Sequence, residues 1–82
     1  MDTWMIKFWK PGGEIDRAPD IISKGFASQE LARQTAVILT RELWGENVVI
    51  REIYPDEIWV DIGDEDFTTI AATIWNESEL VR

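Results

Sequence analysis

The segment from residue 28 to residue 44 constrains the fold most, because it combines an amphipathic pattern with signals for both helix ends. Ser28 is a favourable N-cap residue, and Gly45 suits the left-handed position that follows a last helical turn. Between them apolar side chains recur at helical spacing, at Ala32, Ala36, Leu39 and Leu43. The sequence therefore predicts an amphipathic helix at about 28–44 that packs through one face.

The N-terminal segment predicts a β-strand with two unlike faces. Trp4, Ile6 and Phe8 alternate with Met5, Lys7 and Trp9. We expect the first set to face the core and the second set to point to the opposite side of a sheet. A turn follows at 10–13, and residues 21–26 fit another short strand.

A β-hairpin is predicted after the helix. Residues 48–54 are rich in β-branched side chains, and the turn signal Pro55-Asp56 separates them from the alternating run at 57–62. In that run the apolar side chains are expected inward, and Trp59 and Asp61 outward.

The last segment is ambiguous between helix and strand. Phe67, Ile70, Ala71, Ile74 and Ser78 follow helical spacing, and the acids before them would complement the positive end of a helix. The threonines, isoleucines and tryptophan of the same segment favour a strand by propensity. The preferred prediction is a helix at about 65–76, with the strand as the alternative.

These elements predict one α+β domain over residues 1–82, with a small antiparallel sheet packed by one or two helices. The β-α-β-β-α order is compatible with a ferredoxin-like or similar arrangement. In such a domain the second face of the sheet can remain open to solvent or to a partner.

The net charge of −8 comes entirely from the second half of the chain. Residues 1–44 contain six acids and six bases, whereas residues 45–82 contain ten acids and two bases. Six of these acids fall within eleven positions that hold no base: Asp56, Glu57, Asp61, Asp64, Glu65 and Asp66. Such asymmetry concerns partners and solubility rather than fold.

Several functional classes are disfavoured by composition. The chain has no cysteine and no histidine, which removes thiolate and imidazole ligands and the usual nucleophile–base pairs. The run from Asp61 fails as a calcium loop because Gly63 and Asp66 occupy positions that need an oxygen ligand and a glycine. We therefore predict a protein that is not an enzyme and needs no cofactor or metal.

The same composition bears on location and on nucleic acid. No apolar run approaches the roughly 20 residues of a membrane span, so a cytoplasmic protein without membrane contact is expected. Direct nucleic-acid binding is disfavoured, because the bases are scattered through the neutral half and the acidic half repels phosphate.

The acidic run has two interpretations. It is either ordinary solvated surface with turn and capping residues, or an array of carboxylates that imitates nucleic-acid phosphates for a basic protein surface. Trp9 and Trp59, on the outward sides of their strands, either form a small second core or add an exposed aromatic patch.

The leading hypothesis is a small acidic protein-binding inhibitor. Its six clustered acids would occupy the basic nucleic-acid-binding groove of a nucleic-acid-handling protein, with Trp59 and Trp9 as apolar anchors. In size, acidity and lack of catalytic groups the chain resembles the small inhibitors that phages encode against host defences, such as anti-CRISPR and anti-restriction proteins. The alternative is a homo-oligomeric structural or accessory subunit, for example a homodimer, that assembles through the aromatic sheet face.

Overall fold

The computed structural model describes residues 3–12, 18–62 and 67–80. In this part of the chain the elements are β1 (Trp4–Phe8), β2 (Ile21–Phe26), α1 (Gln29–Trp44), β3 (Ile50–Tyr54), β4 (Glu57–Ile62), β5 (Phe67–Asn76) and α2 (Glu77–Leu80). The strands form one sheet in the order β2-β1-β5-β4-β3, and every neighbouring pair is antiparallel. The first and last strands of the chain are therefore paired at the centre, with β2 and β3 at the edges.

The α+β class and the antiparallel sheet are confirmed, but two finer predictions are wrong. Residues 67–76 form β5 instead of a helix, and residues 65 and 66 lie outside the described residues. The β-α-β-β-α order of a ferredoxin-like arrangement is not matched, since two strands precede α1 and three follow it. The physical reason is that β5 is hydrogen-bonded on both sides, to β1 and to β4, so long-range pairing decides its conformation.

The predicted helix is confirmed almost to the residue. The Ser28 hydroxyl accepts a hydrogen bond from the backbone N–H of Leu31 at 3.1 Å. At the other end Gly45 adopts a φ of 107°, and its N–H donates to the carbonyl of Arg41 at 2.9 Å. Both ends thus satisfy backbone groups that a helix leaves unpaired.

The core lies between α1 and one face of the sheet. α1 packs mainly against the two central strands, β1 and β5, and also contacts β2. The buried members of the core are Ile6, Phe8, Ala32, Ala36, Ile58, Ala72 and Ile74. Trp4 packs against this cluster as well, so the predicted inward set of β1 is confirmed.

A bulge interrupts the pairing of β5 with β4. Ile58 pairs with Ala72, whereas the next residue, Trp59, pairs with Ile70, so Ala71 is an extra residue on β5. An extra residue breaks the strict alternation of a strand and increases its local twist. The apolar residues of β5 therefore do not follow a simple period of two.

Thr40 in α1 is a polar residue buried beside the apolar core. Its side chain is fully buried, and its hydroxyl has no hydrogen-bond partner within the described residues. Valine has nearly the same shape and lacks the hydroxyl, whose burial without a partner costs about 1–3 kcal/mol. We expect Thr40→Val to raise the free energy of unfolding by about 1 kcal/mol in urea denaturation. A less stable variant would contradict this account of Thr40.

Candidate functional site

The sheet face opposite α1, called the far face below, holds a row of side chains that crosses all five strands. The register places Ile22 beside Lys7, Lys7 beside Thr73, Thr73 beside Glu57 and Glu57 beside Tyr54. Directly opposite residues of paired strands share one face. Ile22 and Tyr54, at the two edges, are 49% and 52% exposed.

Lys7 is held in place by Trp75, a residue for which the sequence predicts no surface role. Its ammonium lies 4.5 Å from the centroid of the Trp75 ring, which is 39% exposed. The Trp75 indole N–H donates to the Thr73 hydroxyl at 2.7 Å. The helical spacing in 65–76 does not predict this contact, whereas the β-propensity of Thr73, Ile74 and Trp75 is the signal that indicates the strand.

Glu57 is also held by a tryptophan. The Trp59 indole N–H donates to Glu57 Oε1 at 2.9 Å, and Trp59 is half-buried. The predicted outward position of Trp59 agrees with its pairing opposite Arg51, on the strand side away from Ile58. The two charges of the row, one on β1 and one on β4, thus each contact one tryptophan.

Trp9 follows the end of β1 and serves the fold through its backbone. Its N–H donates to the carbonyl of Ala71 at 2.9 Å, and its carbonyl accepts from the Trp44 indole N–H at 2.8 Å. Trp44 therefore ties the end of α1 to the end of β1. The Trp9 side chain is half-buried, which leaves its predicted role as an anchor untested.

The predicted acidic residues are not gathered in one place within the described residues. Asp56 is exposed in the turn before β4, and Asp61 lies near the other end of that strand, about 17 Å away for five residues of extended chain. Asp64, Glu65 and Asp66 lie outside the described residues.

Asp61 is compensated by a base. The Arg51 guanidinium donates to both of its carboxylate oxygens, at 3.1 and 2.9 Å, and the Asp61 side chain is only 23% exposed. The hydrogen bonds from Arg51 hold the pKa of Asp61 below its usual value; partial burial opposes this, and the charge of Arg51 adds to it.

This pair gives a pH prediction. Because the pKa of Asp61 is lower in the folded chain than in the unfolded one, the pair stabilises the fold above the unfolded pKa, and this stabilisation is lost as pH falls through the folded pKa. We expect Arg51→Met to move the pKa of Asp61 up towards its ordinary value, about 3.9. A carboxyl-carbon NMR titration measures this, and an unchanged Asp61 curve would contradict it.

The other described features of the structure have fewer charged or polar contacts that could form a functional site. An open groove at the end of α1 is lined by Ile38, Arg41, Glu42, Gly45 and Glu46. Within residues 3–12, 18–62 and 67–80, no cluster of three or more potential metal ligands occurs. In the same ranges no helix has the length and apolar character needed to cross a membrane.

Two candidate surfaces are present within the described residues: the far face, and the exposed acids Glu46, Glu52 and Asp56 along the β3 edge of the sheet. Comparisons of the chain with protein-family models, with curated proteins and with solved structures found no match.

Proposed function

We propose that this protein is a non-enzymatic, protein-binding inhibitor that presents carboxylates to the basic groove of a nucleic-acid-handling protein. The observation that carries the proposal is the uncompensated charge of the second half of the chain. Its ten acids face only two bases in sequence, Arg51 and Arg82. Arg51 is already paired with Asp61.

The β3 edge of the sheet supports this proposal. Glu46 precedes β3, Glu52 lies on it and Asp56 follows it, and all three are exposed. In the described part of the chain Glu52 pairs with Arg33 at 3.5 Å, whereas no ion pair is formed by Glu46 or Asp56. An edge strand is accessible, and carboxylates along it attract a surface that is built to bind phosphates.

Charge also predicts how such a complex would form. A protein with a net charge of −8 is steered towards a basic groove, so association is fast at low ionic strength and weakens as salt rises. Steering by surface charge fades when the Debye length falls from about 10 Å at 0.1 M salt to about 3 Å at 1 M.

The test begins with capture and is decided by competition. Proteins retained from a cell extract of the source organism are identified and purified, and the chain is then titrated into a complex of each with its nucleic acid. We expect at least one retained protein to release its nucleic acid. If no retained protein does so, the inhibitor proposal fails.

Two variants with the same net charge test whether the acids of the second half form the binding surface. Asp56→Lys with Asp64→Lys reverses two acids of the second half, and Glu14→Lys with Glu42→Lys reverses two acids of the neutral first half. Both variants have the same net charge of −4, from −8 in the original chain and two reversals of +2 each. We expect competition to weaken about tenfold or more only in the first variant. Equal losses would attribute the effect to net charge alone and contradict an acidic binding surface.

A further inference from the structure

The row across the far face has the same order of residue types from either edge, except that the positive and the negative position are exchanged. From β2 to β3 it runs Ile22, Lys7, Thr73, Glu57 and Tyr54, which is apolar, positive, polar, negative and apolar. Neighbouring strands are about 4.8 Å apart, so the two charges lie at equal distances on either side of Thr73. A surface with this symmetry is complementary to a copy of itself.

We propose that two copies of this chain associate through their far faces, around a twofold axis along β5, with Lys7 of each copy opposite Glu57 of the other. A rotation about this axis reverses the order of the strands in the second copy but leaves each residue at the same position along the strand direction. Each Ile22 then lies opposite Tyr54 of the second copy, and Thr73 lies on the axis. The contact is isologous, as in most homodimers, and does not depend on the proposed inhibitor function.

The two charges are suited to this contact. Packed sheets lie about 10 Å apart, a gap that one lysine and one glutamate side chain can fill together. Lys7 is already positioned over Trp75, and Glu57 is already positioned by the Trp59 indole. Side chains held in place before association lose less conformational entropy when they pair.

The charge balance of the far face favours a second copy over a basic partner. Besides Lys7 and Glu57, the pairing places Arg51 beside Trp59 on this face, and Arg51 holds Asp61. Lys24, two residues after Ile22 on β2, adds one more positive charge, so the five described charges sum to +1 on a chain whose net charge is −8. A face that is close to neutral attracts a basic protein weakly, and two such faces meet with little local repulsion.

The size of the face indicates a reversible contact rather than a permanent one. Five strands about 4.8 Å apart, most of them five or six residues long, give a plane of roughly 450 Å² for each copy. Burying about 900 Å² in total is at the low end for a specific interface. We therefore expect a reversible dimer that forms at concentrations of about 10–500 µM.

Sedimentation velocity over this range tests the proposal with single and paired charge reversals. In Lys7→Glu two glutamates face each other across the interface, and in Glu57→Lys two lysines do. We expect each to weaken the dimer about tenfold or more. The double variant Lys7→Glu with Glu57→Lys restores opposite charges and is expected to recover most of the lost affinity. Arg41→Glu and Glu42→Lys on exposed α1 positions are the controls and are expected to dimerise normally.

Three results would overturn the proposal: a monomer at every concentration, a dimer whose affinity is unchanged by both single reversals, or a double variant that dimerises no more tightly than the single ones.

An experiment on the unmodified chain covers the case in which a variant fails to fold. Isotope-filtered NMR on a mixture of labelled and unlabelled copies is expected to give contacts from Lys7 to Glu57 and from Ile22 to Tyr54 between copies. A dimer without these contacts uses another surface.

Discussion

Phe8→Ala is expected to lower the free energy of unfolding by about 3–5 kcal/mol. Phe8 is fully buried on a central strand, and it is the largest of the side chains that are completely removed from solvent in the described structure. Truncation removes apolar contacts with α1 and leaves a cavity that the two central strands cannot easily close. A domain of this length has only about 4–12 kcal/mol of stability, so this loss removes at least about a quarter of it.

Urea denaturation followed by far-UV circular dichroism measures this loss. Ile38→Ala is the matched control, because Ile38 lies on α1 with 61% of its surface exposed. We expect the control to stay within about 0.5 kcal/mol of the original chain. A loss below about 1 kcal/mol for Phe8→Ala would contradict the position of β1 beneath α1.

The second large effect is expected from Ala36→Leu, at about 1–3 kcal/mol of destabilisation. Ala32 and Ala36 on α1 and Ala72 on β5 belong to one cluster and are all fully buried. These small side chains allow the helix to lie close to the sheet. A leucine at position 36 would have to displace the helix or adopt a strained rotamer.

Gln34→Leu provides the control for this substitution. It introduces the same side chain two residues away on α1, at an exposed position, so it is expected to change stability by less than about 0.5 kcal/mol. The same urea titration compares the two variants. A stabilised Ala36→Leu protein would indicate an unfilled space between α1 and the sheet and would contradict the close packing of these alanines.

The helix, β1 and the hairpin could be predicted because their signals are local. Ser28 and Gly45 mark the two ends of α1 by backbone chemistry that depends on neighbours only a few residues away. The alternation in β1 and the turn at Pro55-Asp56 are equally short-range. Each of these features needs no knowledge of what the segment packs against.

The end of the chain was predicted wrongly because its conformation depends on distant strands. β5 pairs with β1, about seventy residues earlier, and with β4 on its other side. The extra residue Ala71 also shifts the alternation, so that Ile70, Ala71 and Ile74 imitate helical spacing. Without β5 the strand order could not be predicted, and neither could the row across the far face.

The candidate site was predicted in part. The clustering of acids in the sequence indicated which residues to consider. It did not predict that Asp56 and Asp61 lie near opposite ends of β4, nor that Asp61 pairs with Arg51. Trp59 was correctly assigned to an outward face, whereas Trp75 required the correct conformation of β5. The balanced row of Lys7 and Glu57 depends on register, which a single sequence does not define for strands so far apart.

The salt dependence of binding to a captured target tests the central claim most directly. The dissociation constant is measured between about 50 and 500 mM salt for the original chain, for Asp56→Lys with Asp64→Lys, and for the charge-matched first-half control. We predict that affinity falls steeply with salt for the original chain and the control, and that the second-half variant binds about tenfold or more weaker with a shallower slope. Equal affinities and slopes for all three would contradict a binding surface made by the carboxylates of the second half.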